Sequence, residues 1–442
     1  MVSRRGFIRV GAATVGTLAL RPFGLLPALA QSGGDYRALV CVFLFGGNDS
    51  NNTIIPMDDV NYPAYQSIRG SLALSGSNLT PTVTSNTGAP FAFHAKLAEV
   101  ASLFSSKELA VVANVGPLVQ PLTRAQYQAA QALTIPLNLF SHADQQLAWQ
   151  TSIAQGHSPT GWAGRAADYI ASANINSSSF PTFFSVAGNS LEGTGASTQQ
   201  VALAPGESMT LKGPAAGISG INSLLTTNSG MSLVQAANDT LSHSITDAAA
   251  LAAALGKSTA LKTVFPTTSI GKQLAQVAQI IQVQSYLGMR RQIFFCSLGG
   301  FDTHAAELET HNNLYPQLSP ALAAFYAATQ ELNVAQNVTT FTESDFSRTF
   351  QPTTTDGSDH AWGSHHLVMG GAVQGGQIFG QFPTFELGGP NDTDTRGRWI
   401  PTTSIDQYGA TLCSWFGIPA SALATVFPNL ANFPTANVGF LG

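Results

Sequence analysis

Charge is scarce in this sequence of 442 residues, since lysine and arginine together number 19 and aspartate and glutamate number 24. The charged fraction is only 10%, and the formal net charge at pH 7 is −5. We expect no nucleic-acid partner, because phosphate backbones are bound by clustered Lys and Arg, and the sequence has no basic cluster. The surface must be wetted mainly by neutral polar side chains.

Cysteine is also rare, with three residues in 442. Cys41, Cys296 and Cys413 lie in apolar segments, and no Cys-x-x-Cys pair occurs. Three cysteines cannot build a disulfide framework. We predict buried free thiols, which are unreactive because apolar burial raises the pKa of a thiol. The alternative is a single bridge among them in an oxidising compartment.

Long hydrophobic runs are missing apart from the first residues of the chain. Arg4 and Arg5 precede an apolar run over residues 10–20, and Ala28-Leu29-Ala30 offers a cleavage site. This pattern predicts a twin-arginine export signal over residues 1–30. A membrane anchor is disfavoured, because the run is short and is followed by Arg21 and Pro22. We therefore expect handling by the twin-arginine machinery, a periplasmic or secreted location, and no membrane span in the mature chain.

Buried strands and amphipathic helices alternate through the rest of the sequence. Continuous apolar runs at 38–45 and 292–298 are typical of strands covered on both faces. Helical spacing of apolar residues over 270–287 separates such strands along the chain. The pattern predicts the α/β class, as a three-layer α/β/α domain with a mostly parallel central sheet. We expect a single domain over 31–442, with a helix-rich insertion around 177–287.

Acidic residues follow three of the predicted strands. Asp49 comes after the first strand, Asp302 and His304 follow a Gly-Gly turn after another, and Asp345 follows a third. Ligands of α/β sheets bind beyond the carboxyl ends of the strands. These side chains are therefore expected to share one edge of one sheet.

Residues 357–376 concentrate histidine among glycines. Asp359 and His360 are followed by the adjacent pair His365 and His366. Imidazole and carboxylate together suit zinc or manganese, although adjacent histidines also occur in plain polar turns. Neighbours on a strand point in different directions, so we expect only one of His365 and His366 to be a ligand.

Together the strand ends and the histidines predict a di-metal hydrolase site. Two divalent cations can stabilise both the attacking and the leaving oxygen of a phosphoryl or sulfuryl transfer. The sequence does not distinguish zinc, manganese, calcium and magnesium.

Ser141 stands before a helical pattern that runs to Trp149. With Asp144 in the next turn, it fits a helix N-cap. The same position also favours a nucleophilic hydroxyl, because phosphate and sulfate bind at helix N-termini. Both interpretations stay open at this point.

Several ordered motifs resemble one known family. They are Gly46-Gly47-Asn48-Asp49, Ser141-His142, Gly300-Phe301-Asp302-Thr303-His304, Asp345-Phe346-Ser347-Arg348-Thr349 and the stretch from Asp359 to His366. The resemblance is to the bacterial domain of unknown function 1501, whose members are commonly twin-arginine exported. That family is related to the alkaline phosphatase and sulfatase superfamily, so the resemblance implies an alkaline-phosphatase-like fold.

The resemblance also implies roles for individual residues. Ser141 would be the catalytic nucleophile, and Asn52, His142 and Arg348 would bind substrate. The implied ligands of two metal ions are Asp49, Asp302, His304, Asp345, Asp359, His360, His365 and His366. Departures from the family pattern are Asp345 in place of glutamate, Ser347 in place of glycine and Phe140 in place of arginine.

The predicted function is that of an exported, metal-dependent hydrolase of phosphate or sulfate esters, acting on a small molecule or a polymer. The alternative is an exported binding or assembly protein that kept the fold without turnover. A redox protein is a weaker alternative, because no Cys-rich cluster motif or dinucleotide glycine fingerprint is present.

Overall fold

The structure, a computed structural model, describes residues 35–129, 134–206, 214–227 and 230–442. Residues Arg37–Gly442 form one compact unit. The other unit, Met1–Tyr36, lies almost wholly outside the described residues, and the predicted export signal over residues 1–30 falls there. Among the described residues, no helix has both the length and the apolar character that crossing a membrane requires.

Strands and helices alternate along the described chain. The strands are β1 Arg37–Phe45, β2 Ile54–Pro56, β3 Val83–Thr84, β4 Pro90–Phe93, β5 Leu109–Gly116, β6 Phe183–Ser185, β7 Gln200–Ala202, β8 Arg291–Gly299, β9 Val338–Ser344, β10 Ser364–Met369, β11 Ile378–Gly380 and β12 Thr403–Ser404. The helices are α1 Asn61–Arg69, α2 Ala98–Ser105, α3 Arg124–Ala129, α4 His142–Thr151, α5 Trp162–Ser172, α6 Ala215–Leu225, α7 Ser232–Leu255, α8 Ser269–Gln282, α9 Glu307–Glu331, α10 Ile405–Phe416 and α11 Ala420–Val426.

Nine of these strands form the central sheet, in the order β11-β5-β10-β9-β1-β8-β6-β7 with β12 beside β5. Strand β10 runs antiparallel to β5 and β9, and the other pairings between strands of this sheet are parallel in the described residues. The predicted α/β class and mostly parallel sheet are confirmed. A small antiparallel sheet, β2-β4-β3, lies outside it.

The central strands are buried over most of their length, as the continuous apolar sequences of β1 and β8 predict. In β1 the seven residues between its two ends are buried, and every residue of β5 and β9 is buried. Helices α4, α5, α10 and α11 contribute Trp149, Trp162, Tyr408 and Leu423 to the core cluster that includes Cys41 and Phe341 of the sheet. Burial of this apolar surface is the main stabilising contribution to the sheet.

The stretch 177–287 adds β6 and β7 to the sheet and carries helices α6, α7 and α8. Helix α8 buries Ile270, Leu274 and Val277, as its apolar spacing predicts. Helix α7 buries Leu251 and Ala254, while Leu233 near its start is 83% exposed. The three cysteines are free and buried.

The loops after β1, β8 and β9 and the loop before β10 lie at the same edge of the sheet. Strands β1, β8 and β9 are parallel, so the loops that follow them leave from the same edge. Strand β10 is antiparallel to β9, so the loop that precedes β10 enters at this edge. The residues after 45, 299 and 344 are therefore brought beside the residues before 364.

Helix α10 begins in the core with a capping box, in which Ser404 and Gln407 satisfy backbone N–H groups. Asp406 in its first turn is fully buried and accepts hydrogen bonds from the Ser404 hydroxyl and the Asn429 N–H. Burial raises the pKa of Asp406 to about 7, although these hydrogen bonds oppose the shift.

We expect the stability of the protein to fall as the pH rises, partly through Asp406. The folded state keeps this proton up to about pH 7, whereas the unfolded chain releases it near a pKa of about 3.9. The unfolding free energy therefore decreases between these values, by up to about 4 kcal/mol, and the loss is complete above the upper one. Urea unfolding of wild type and Asp406→Asn near pH 5 and near pH 8 measures it. The unfolding free energy of Asp406→Asn relative to that of wild type should be greater near pH 8 than near pH 5. The same difference between the two proteins at both pH values would contradict the prediction.

Candidate metal centre

Four side chains from three parts of the chain meet at the edge of the sheet where β1, β8 and β9 end. Asp302 and His304 lie in the loop after β8, and His360 lies in the loop before β10. His142 is the first residue of helix α4. We call His142, Asp302, His304 and His360 the open cluster.

The open cluster is arranged around one carboxylate oxygen. Oδ1 of Asp302 lies 3.4 Å from Nε2 of His142, 3.1 Å from Nε2 of His304 and 3.5 Å from Nε2 of His360. The Nε2 atoms of His304 and His360 are 2.9 Å apart. The side chains of Asp302 and His304 are 49% and 48% exposed, so small molecules in solvent have access to the cluster.

The other nitrogen of each imidazole contacts an acceptor. Nδ1 of His142 lies 2.7 Å from Oδ2 of Asp345, and Nδ1 of His304 lies 3.3 Å from Oδ1 of Asp359. Nδ1 of His360 lies 2.6 Å from the carbonyl oxygen of Phe140. Asp345 and Asp359, which the sequence suggested as metal ligands, instead contact the outer nitrogens of two histidines.

These outer contacts determine where the protons are. A carbonyl oxygen and a carboxylate oxygen act here as acceptors, so in each ring a proton belongs on Nδ1. With Nδ1 protonated, a neutral ring presents the lone pair of its Nε2 atom toward Oδ1 of Asp302. Nε2 of His142 is also buried without a hydrogen-bond partner. Converging lone pairs repel unless a cation lies between them.

This donor set fits a transition metal. Imidazole and carboxylate ligands suit zinc and related ions, and metal-binding histidines usually donate their second N–H to a carboxylate or a backbone carbonyl. Among the described residues, His142, Asp302 and His360 can each supply one ligand atom within 4.8 Å of the others. Nε2 of His304 is outside this set but lies 3.1 Å from Oδ1 of Asp302 and 2.9 Å from Nε2 of His360.

Neighbouring charges influence the protonation of the open cluster. Burial would raise the pKa of Asp302, but the hydrogen bond and charge of Arg348 outweigh it and hold the pKa below the usual value. The pKa of Asp359 is likewise lowered, because the hydrogen bond and charge of Arg396 outweigh the effect of burial. The hydrogen bond with Asp345 raises the pKa of His142, and burial lowers that of His360.

Arg348 fixes the loops that carry the site. Its guanidinium is fully buried and donates to the carbonyl oxygens of Gly47, Phe301 and Ser358 and to Oδ1 of Asp302. The sequence assigned Arg348 to substrate binding. The structure instead makes it a link between three loops, because none of its surface is available to a substrate.

Gly46 allows two of these loops to approach each other closely. Its φ of +112° belongs to the region that favours glycine, and a Cβ there would lie 2.5 Å from the backbone nitrogen of Asp302. Its own N–H donates to Oδ1 of Asp345 at 3.2 Å. A side chain at this position would push the Asp302 loop away from β1.

Two arginines at the rim were missed by the sequence analysis. Nη1 of Arg396 lies 2.6 Å from Oδ2 of Asp359, and Arg398 donates to the His360 carbonyl and packs over the Phe140 ring. Both side chains are partly exposed, at 32% and 24%. Two arginines in three residues of a charge-poor chain were the available signal.

A comparison with protein families gives one match over most of the chain. The family described as "Protein of unknown function (DUF1501)" matches residues 36–395. The chain belongs to the DUF1501 family. The motifs quoted from the sequence lie within the matched region.

Solved structures similar to this DUF1501 protein share little sequence with it. Ps i-CgsB in complex with k-i-k-neocarrahexaose has a TM-score of 0.34 at 9% identity, over 88% of this chain and 74% of the other. The lipoteichoic acid synthase LtaP from Listeria monocytogenes gives 0.34 at 7%, over 84% and 76%. The PsFucS1 sulfatase from Pseudoalteromonas sp. gives 0.33 at 9%, over 95% and 72%. No curated protein matches. These TM-scores are low, so we base no conclusion on them.

Asp49 does not join the open cluster of this DUF1501 protein, contrary to the prediction of a shared pocket. It forms a buried ion pair with Arg69, which also contacts Glu307 at 3.1 Å, and all three side chains are fully buried. Arg69 at the end of α1 provides the countercharge for which the sequence analysis invoked a metal. Asn52, predicted to bind substrate, is buried and bonded to the Tyr65 hydroxyl and the Leu72 carbonyl.

His365 and His366 lie within β10, beyond the edge that carries the open cluster. Nδ1 of His365 accepts the Asn114 N–H at 2.9 Å, and the ring of His366 packs 4.7 Å from Trp149. Burial lowers the pKa of each to about 3. The prediction of one metal ligand in this pair needs correction, because β10 carries both residues into the core.

Ser141 precedes helix α4 in the N-cap position, and its hydroxyl donates to Oδ2 of Asp144 at 2.6 Å. The hydroxyl accepts no backbone N–H, and within the described chain it makes no hydrogen bond to the open cluster. The neighbouring residue, His142, was predicted to bind substrate and is instead a member of the cluster. The structure therefore favours neither proposed role of Ser141.

Proposed function

We propose that this protein is a metal-dependent hydrolase of phosphate or sulfate esters, with one divalent cation bound by the open cluster. The observation that carries the proposal is the convergence of three Nε2 atoms on Oδ1 of Asp302, with each Nδ1 committed to an acceptor. The predicted second metal is not part of the proposal, because Arg69 neutralises Asp49 and the pair His365 and His366 lies elsewhere.

The substrate would be an anion. Arg396 and Arg398 stand at the rim of the open cluster in a protein whose net charge is −5, and both are partly exposed. Arginine presents planar donors that match the oxygens of phosphate and sulfate. In this proposal Arg396 exchanges its contact with Asp359 for one with the substrate anion.

The residues of the site would either bind the metal or hold its ligands in position. His142, His304, His360 and Asp302 would bind the metal, which when present supplies Lewis acidity at the ester. Asp345, Asp359 and the Phe140 carbonyl would orient the three imidazole rings. Arg348 would keep the Asp302 loop beside the loop that follows β1.

The attacking group is proposed to be water rather than Ser141. The Ser141 hydroxyl donates to Asp144, and in the part of the chain that the structure describes it makes no hydrogen bond to the open cluster. Zinc-loaded wild type should hydrolyse an aryl phosphate or an aryl sulfate, and Ser141→Ala should retain its rate within about threefold. Initial rates of both proteins at equal metal content measure the effect.

Two outcomes would contradict this proposal. Loss of activity in Ser141→Ala, with fold and metal retained, would restore the serine as nucleophile. No hydrolysis by metal-loaded wild type across a broad ester panel would favour the exported binding or assembly protein. His157→Ala is the matched control, because His157 is exposed and lies outside the open cluster.

The location belongs to the same proposal. Arg4 and Arg5 before an apolar run support twin-arginine export to the periplasm or the medium. That pathway carries folded proteins, so the metal would be bound before export. The three-layer, alkaline-phosphatase-like arrangement and the extent of the single domain over 31–442 likewise stay predictions.

A further inference from the structure

Another group of side chains with metal-ligating atoms lies inside the core. Cys41 is on β1, Glu343 is on the adjacent strand β9, and Glu192 is in the turn Leu191–Gly193 after β6. One ligand atom from each lies within 4.8 Å of the others. We call these three residues the buried trio.

The fold brings the buried trio together from distant parts of the chain. Cys41 pairs with Phe341, so Glu343 lies two residues further along β9 and on the same face of the sheet as Cys41. The turn that carries Glu192 packs on the start of α5, where an added Cβ at Gly161 would lie 2.1 Å from the Glu192 carbonyl oxygen. Glycine at this position lets Glu192 enter the core.

Within the described residues, the carboxylates of the buried trio have the Cys41 thiol beside them but no cationic side chain. Glu192 and Cys41 are fully buried and Glu343 is 2% exposed. Among the described residues, three of the four carboxylate oxygens are buried without a hydrogen-bond partner. They are Oε1 and Oε2 of Glu192 and Oε2 of Glu343. No ion pair within the described residues includes either glutamate. A buried polar group left in this way costs about 1–3 kcal/mol, and more when it is charged.

Other buried carboxylates of the same protein are satisfied. Asp49 and Glu307 contact Arg69, and Asp345 accepts hydrogen bonds from Gln146 and from Gly46 N–H. Protonation would remove the charges of the buried trio, and burial does raise the pKa of Glu192 to about 8 and that of Glu343. Protonation alone still leaves oxygens that accept no hydrogen bond.

We infer that the buried trio is a structural metal site that binds one divalent cation of the zinc class. A thiolate and carboxylates are ligands that zinc accepts, and a carboxylate can contribute both oxygens, so three residues can complete four donors. A cation here would satisfy the unpartnered oxygens and link β1, β9 and the turn after β6. Because the trio is buried, the ion must enter during folding and would exchange slowly.

The two sites differ in a property that spectroscopy detects. The buried trio contains sulfur, and the open cluster contains none. Protein folded in the presence of cobalt(II) should therefore show a thiolate-to-cobalt charge-transfer band. Cys41→Ser should lose this band and one equivalent of metal.

Three variants test these assignments separately. His304→Ala should lose the exchangeable metal of the open cluster and keep the charge-transfer band. Cys296→Ser should keep both metals, because Cys296 pairs with Val42 and therefore faces away from Cys41. Glu192→Gln should lose the band as Cys41→Ser does.

A measurement on wild type covers the case in which the core variants do not fold. X-ray absorption at the zinc edge should detect one sulfur neighbour per buried zinc in protein purified with zinc. Absence of sulfur scattering and of the cobalt band in folded wild type would overturn the inference and leave a protonated carboxyl pair. A band that survives in folded Cys41→Ser would overturn it as well.

Discussion

Replacing His304 by alanine is expected to weaken zinc binding at the exchangeable site more than about 100-fold and to abolish ester hydrolysis. The variant removes one of four donors that converge at the open cluster. The His304 side chain is 48% exposed in the wild type, so the fold should survive its removal. Competition titration with a chromophoric chelator measures the affinity, and circular dichroism checks the fold.

Related variants test whether the outer contacts matter as the geometry implies. Asp345→Asn keeps the shape of the side chain but weakens its contact with Nδ1 of His142, so zinc affinity should fall by about 10- to 100-fold. His157→Ala should leave affinity unchanged. Equal zinc affinity in wild type and His304→Ala would refute the assignment of the open cluster as a metal centre.

Replacing Arg69 by methionine is expected to lower the unfolding free energy by about 3–5 kcal/mol. Arg69 is fully buried, and its guanidinium lies between the buried carboxylates of Asp49 and Glu307. It also donates to the carbonyl oxygens of Thr349 and Phe350. The variant leaves two buried acids without a countercharge, and urea unfolding at neutral pH measures the loss.

Two further variants make this measurement specific. The double variant Arg69→Met with Asp49→Asn should recover part of the loss, because it removes one of the uncompensated charges. Arg396→Met breaks a partly exposed ion pair and should cost no more than about 1 kcal/mol. A loss at Arg69 as small as that at Arg396 would show that the buried ion pair contributes little.

Features with a strong local signal could be predicted from the sequence. The runs that became β1 and β8 are continuous and apolar, the shorter β9 begins with Val338, and each of the three is followed by polar residues. Parallel strands direct such residues to one edge, so the proximity of Asp302, His304 and His360 followed from the α/β pattern. His142 was assigned to substrate binding, as the family resemblance implied, and the structure places its Nε2 atom beside Oδ1 of Asp302.

Features that depend on partners distant in sequence could not be predicted. Arg69 gives no local sign that it neutralises Asp49, and the sequence therefore suggested a metal instead. His365 and His366 stand close to His360, but the start of β10 between them changes their surroundings from loop to core. Local sequence does not reveal that β10 is antiparallel, since buried parallel and antiparallel strands have similar compositions.

The position of β1 in the sheet has a consequence for the order of assembly. Strand β1 is made early but pairs with strands made late, because Arg37 pairs with Arg291 and Ala38 with Val338. Such distant pairings close large loops and form slowly. During synthesis both edges of β1 therefore stay unpaired until most of the chain has left the ribosome. The open cluster, whose last member along the chain is His360, can form only after that point.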